Sequence, residues 1–263
     1  MSDVTRRVLA ALFDLTWMLF PGFGLIDLSV TWDPSWARVL EAGWGVFFTV
    51  LVGAAFVAVA LSLRRAVGPA VQLYVAAAAL AVAAPLAAES GVLYLALVLT
   101  AETAIVCAPA TAPLIRDRAR MRFAPDWPLT VIAAGAAIPW SIYAFHMFRL
   151  NRRSLGVFEN SGRGVETTDI TIGIDHYAVQ GALGIAVAVL ALLAGLWPAV
   201  RRYIGVSVAL AAGYIGLVSL DAHPHPGSVN RVWSLLCVCW AGAILIASLA
   251  SRSGGQVTTG TTQ

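Results

Sequence analysis

The chain is 263 residues long, 59% hydrophobic and 12% charged, with a mean hydropathy of +0.81. Soluble domains carry roughly 25% charged residues, so this chain cannot clothe itself against water and lipid must solvate most of it. Its net charge of +3 comes from 17 Arg and no Lys, which excludes a retinal Schiff base and a phosphate loop with its GK dipeptide; the Arg flank apolar runs and line no single face, which sets nucleic acid aside and makes the lipid headgroup layer the natural anion.

A hydrocarbon core of roughly 30 Å takes about 20 apolar residues per helix, and eight runs meet that length: 8–31, 38–62, 68–88, 91–114, 128–149, 174–198, 203–220 and 230–250. The expected fold is all-α, a polytopic bundle of about eight transmembrane helices filling residues 1–250. The tail from Ser251 to Gln263 is Ser, Gly, Thr and Gln with one Arg, and reads as disordered.

The first run follows Arg6 and Arg7, but Asp14, Trp17 and Pro21 interrupt it and no small-residue cleavage site follows. It reads as a retained helix, not a signal peptide. Pro21-Gly22-Phe23-Gly24 predicts a kink or break. Asp14 lies before that break, near Arg6 and Arg7. Asp27 lies beyond it, within reach of whatever polar site forms at the far boundary. In the fourth run Glu102 falls at mid-membrane, where a carboxylate is costly and faces the bundle interior; Thr100 and Thr103 offer hydroxyls beside it.

The later runs concentrate polar residues at one level. Tyr143 and His146 are i and i+3 near the end of the fifth run, with Arg149 one step on. Asp175 is placed to cap the sixth helix, where His176 and Gln180 share a face. The seventh run is rich in Gly and Ala, which suits close packing. It ends in Asp221-Ala222-His223-Pro224-His225-Pro226, where two prolines favour an extended path that turns Asp221, His223 and His225 one way. Cys107, Cys237 and Cys239 sit inside apolar runs as small hydrophobes.

Arg counts set the orientation. The N-terminus, the C-terminus and the even-numbered connections carry eleven Arg against six on the other side, so the positive-inside rule puts both termini in the cytoplasm. Arg149, Arg152 and Arg153 strain that assignment, with Glu159, Glu166 and Asp169 nearby to pair with them. The second and third runs around Arg64-Arg65 resemble the sixth and seventh around Arg201-Arg202, which suggests a parallel 4+4 pseudo-repeat. Composition points to a multi-pass protein of the cell membrane, of the bacterial inner-membrane type.

This threading brings all four His to the extracytoplasmic boundary. His146, His176, His223 and His225 are then candidate ligands for a divalent transition metal such as zinc, with Asp175, Asp221 and Glu102 as catalytic carboxyls and Tyr143, Gln180 and Asp27 as substrate contacts. Three protein ligands and an open position would activate water against a lipid-like substrate. No HExxH motif is present. Two other readings stay open: a small-molecule or proton-coupled carrier or sensor titrating on Glu102, and a non-catalytic subunit that docks another membrane protein through loop 150–173. Expected partners are the bilayer, a lipid-like or small apolar ligand, and that other membrane protein.

Overall fold

The computed structural model describes residues 1–34, 36, 38–63, 66–116, 123–154, 170–171, 174–224 and 227–251, with backbone alone for 109–116, 154 and 170–171. Nearly all of it is helix. In chain order these are α1 (Asp3–Met18), α2 (Gly24–Val30), α3 (Arg38–Val46), a π-helical segment (Phe47–Gly53), α4 (Ala54–Leu61), α5 (Val67–Ala87), α6 (Ser90–Arg116) and α7 (Trp127–Ser154). A short ribbon, β1 (Ile170–Thr171) and β2 (Ile174–Asp175), leads into α8 (His176–Leu196), α9 (Arg201–Asp221) and α10 (Arg231–Ala250). The expected disordered tail from residue 252 onward lies outside the described residues, as does most of the connection before α8.

Among the described residues seven helices are long and apolar enough to cross a membrane, with Arg38–Leu61 counted as one. The chain is a membrane-embedded, multi-pass helical protein. The first apolar run is not among the seven because it is broken where Pro21 predicted. A Cβ at Gly22 would stand 2.4 Å from the Trp17 carbonyl oxygen, and Phe23 takes a left-handed φ of 56°. The two halves still act as one rod: α2 packs on α3, and α1 packs on the π segment and α4. Together they run antiparallel along the whole length of Arg38–Leu61. Val4, Val8, Leu12, Leu15 and Leu19 form an exposed apolar stripe on α1, which suits a lipid-facing surface.

The π segment loosens the ladder of backbone bonds in the second span. Gln72 of α5, fully buried, repairs this by donating from Nε2 to the carbonyls of Val50 (3.2 Å) and Leu51 (2.9 Å). α8 is the most enclosed span and α10 the least. Small residues explain the tight joints. A Cβ at Gly181 would strike Phe148 of α7 at 2.2 Å, and one at Gly205 would strike Ser248 of α10 at 2.0 Å; the close packing expected of the Gly- and Ala-rich seventh run is thus present.

Polar side chains tie off helix ends that lipid cannot satisfy. Arg201 donates to the carbonyls of Ala194, Gly195 and Ala124 and lies 3.7 Å from Asp126. Arg152 donates to Leu86 (2.6 Å) and Pro85 (2.8 Å) at the end of α5, and Asn151 to Ala87. Arg152, one of the trio that strained the charge rule, is therefore occupied by backbone carbonyls. The acids proposed as its partners lie outside the described residues.

Candidate functional site

Three helix ends meet at one boundary of the bundle and bring Asp27, Glu41 and His176 together. Each offers a ligand atom within 4.8 Å of the others, and this is the one such His, Cys, Asp and Glu group of three or more among the described residues. Burial is nearly complete: Asp27 is 6% exposed, Glu41 1% and His176 0%. His176 Nδ1 lies 3.8 Å from Glu41 Oε1.

Local structure fixes each member. Asp175 caps α8, its Oδ1 accepting from the Tyr177 amide at 3.0 Å, so His176 is the first helical residue and turns inward. Trp44, one turn beyond Glu41 on α3, lays its ring 4.7 Å from the imidazole and donates from Nε1 to the Gly22 carbonyl at 2.8 Å. That bond ties the break in the first run to the site. Asp27 sits on α2, and the Thr31 hydroxyl donates to its carbonyl oxygen at 3.0 Å. The outer edge is closed by Arg38, which donates to the Thr31 carbonyl, pairs with Asp221 and lies 6.0 Å from the Trp32 ring.

Two carboxylates beside an imidazole in a buried corner are expensive unless charge is balanced. Glu41 lies in the first turn of α3 and His176 opens α8, so the positive ends of two helix dipoles face the cluster and favour anions. A divalent cation would suit such a donor group. One nitrogen and two carboxylates match the borderline donor set of zinc and its neighbours. Metal bonds of about 2.1 Å would place ligand atoms roughly 3.4 Å apart, a little closer than the 3.8 Å between His176 Nδ1 and Glu41 Oε1.

A polar path continues inward. Gln180, one turn from His176 and fully buried, donates from Nε2 to the Tyr143 hydroxyl, which donates to the Gly227 carbonyl at 2.7 Å. The Gln180 carbonyl is pressed against α3, where a Cβ on Gly43 would lie 1.1 Å from Oε1. On its other side Tyr143 lines a cleft of about 710 Å³ between α7 and α10, with Trp140, His146, Trp233 and Trp240 among its walls.

The structure gathers the sequence-predicted residues selectively. Asp27 and His176 enter the cluster, Asp175 positions it, and Gln180 and Tyr143 extend it. His146 is exposed in the cleft, His223 is exposed beyond α9, and neither joins the cluster. His225 lies outside the described residues. The path after Asp221 bends and turns through 222–224 where an extended strand was expected, and Asp221 is drawn to Arg38. Glu102 stands apart on α6, accepting from Trp17 Nε1 at 2.6 Å. Glu41 is the residue the sequence reading passed over. Its signal was the one used for Glu102: an acid inside an apolar run.

No family model matches the chain, and neither a curated protein nor a solved structure does. The chemistry of the site rests on its own geometry.

Proposed function

We propose that the chain is a membrane metalloenzyme in which Asp27, Glu41 and His176 hold a divalent transition metal, zinc or a close neighbour, for hydrolysis of a lipid-like substrate. The convergence of these three groups in a buried, dipole-favoured corner carries this reading. Bound there by Asp27, Glu41 and His176, a metal would supply Lewis acidity and lower the pKa of a water. The chain's own residues do the rest. Trp44 and Asp175 hold the imidazole, Arg38 with Asp221 closes the outer edge, and the Gln180–Tyr143 pair connects the site to the cleft. Hydrolysis adds water across an ester or amide, releasing an acid and an alcohol or amine.

The first run, α1 with α2, supplies an eighth crossing in this reading, since the pair matches the length of the span beside it. Both termini then lie in the cytoplasm of a bacterial-type inner membrane, and the site faces the extracytoplasmic boundary. A 4+4 repeat remains part of the proposal on run lengths alone. Glu102 serves as a strut between α1 and α6; a carrier or sensor would need it to titrate, and its bond to Trp17 favours the strut.

Two assays test the proposal. Chelator-stripped protein titrated with Zn²⁺ or Mn²⁺ should gain thermal stability as RT ln(1 + [L]/Kd), about 2.7 kcal/mol at a hundredfold excess over Kd, and His176→Ala should abolish the gain. Lipids extracted from proteoliposomes should show a cleaved species with the unmutated protein and none with Glu41→Gln. Equal stabilisation of His176→Ala, or identical lipid profiles, refutes the reading.

A further inference from the structure

The cleft between α7 and α10 has the shape and polarity of an amphiphile. On α7 it runs from Val131 to His146, fifteen helical rises or about 22 Å of helix, most of the depth of a hydrocarbon core of roughly 30 Å. Its two walls are the most lipid-exposed spans of the bundle, so it opens sideways into the bilayer. One end is apolar. At Gly135 a Cβ would meet nothing within 4 Å, so the helix surface there leaves open space beside Val131, Ile132 and Ile138. The other end is polar and basic: His146 and Asn230 line it, and an adjoining hollow adds His223 and Arg231. Asp221, the described acid nearest this end in sequence, is engaged by Arg38. The charge there is thus complementary to an anion.

We propose that this cleft seats a single-chain lipid with an anionic head, its chain along Trp140 and Trp240 and its head at His146 and Arg231. Tyr143 forms the floor of the cleft and hydrogen-bonds Gln180, one turn from His176 on α8, so the head would lie at the level of the buried cluster. That this lipid is the substrate rests on the metal reading; that it binds does not.

The test uses the three Trp that line the cleft. Full-length protein in neutral maltoside micelles is titrated with a fatty acid brominated at mid-chain, and separately with the fatty alcohol of the same chain; bromine quenches indole fluorescence on contact. The expected result is saturable quenching at one acid per chain, with the alcohol at least tenfold weaker. Gly135→Leu should weaken both tenfold or more by filling the open space, and Gly135→Ala should fall between. Arg231→Gln, an exposed change that leaves the helix intact, should erase the preference for the acid while leaving the alcohol unchanged. Quenching that never saturates, or Gly135→Leu binding as the unmutated protein does, overturns the proposal. So does a dimer by light scattering that Gly135→Leu dissociates, since a second copy would then be the occupant. Binding that persists in chelator-stripped protein and in His176→Ala separates this inference from the metal reading.

Discussion

Gly43→Ala is the smallest change that reaches the site, and its effect is set by one side chain. The new methyl carbon would fall 1.1 Å from Gln180 Oε1, 2.3 Å from Cδ and 2.9 Å from Nε2. On a surface a glutamine would swing aside at little cost. Gln180 is 0% exposed and its Nε2 donates to a buried tyrosine hydroxyl, so moving it both overpacks the α3–α8 joint, about 1–3 kcal/mol, and strands a buried polar group, about 1–3 kcal/mol. A loss near 3 kcal/mol is expected, read as a lowered midpoint of thermal unfolding followed by tryptophan fluorescence in micelles. Gln180→Ala alone loses the hydrogen bond without the clash. Added to Gly43→Ala it removes the clash, so the double variant should be more stable than the sum of the single effects by about 1–2 kcal/mol. Additive losses, or a Gly43→Ala midpoint equal to the unmutated one, would refute this account of the joint.

Further outcomes follow from other contacts. Glu102→Gln keeps an acceptor for Trp17 Nε1 and should cost under about 1 kcal/mol, whereas Glu102→Leu should cost about 1–3 kcal/mol and be non-additive with Trp17→Phe; a pH-dependent flux lost in Glu102→Gln would instead favour the carrier reading. Gln72→Leu leaves two carbonyls of the π segment without their donor and should lower stability by about 2 kcal/mol, checked by the same thermal assay. Asp126, just outside the fifth span, is held below the usual carboxylate range by the Ser251 hydroxyl first, with the Leu129 amide and the Arg201 guanidinium adding to it. Its folded value is below its unfolded one, so its contribution is complete above about pH 4 and is lost as pH falls through the folded value. The acid side of the stability profile should therefore be flatter in Asp126→Asn.

Much of this architecture was legible because lipid imposes simple rules. Apolar run length gave eight spans, of which seven are helices long and apolar enough to cross a membrane among the described residues; Pro21 gave the break in the first run, and Asp175-His176 announced a capped helix start with Gln180 on the same face. Run boundaries give a depth along each helix, and on that basis the sequence places His146, His176, His223 and His225 at one level. Azimuth is not legible. α7 is apolar round most of its span, so nothing in its period says that Ala144 and Phe148 face α8 while His146 is exposed. The π segment was equally hidden, since no residue in Phe47–Gly53 is a helix breaker other than Gly53 itself. Glu41 was readable in kind, as an acid three residues inside an apolar run. Its meeting with Asp27 and His176 depends on how α2, α3 and α8 pack.

The most direct measurement is the transition-metal content of purified, unstripped protein by elemental analysis. About one ion per chain is expected, lost in His176→Ala and in Glu41→Gln and retained in His146→Ala and His223→Ala. No stoichiometric metal in the unmutated protein, or a metal that departs with His146 or His223 and stays in Glu41→Gln, would contradict the proposed metal site.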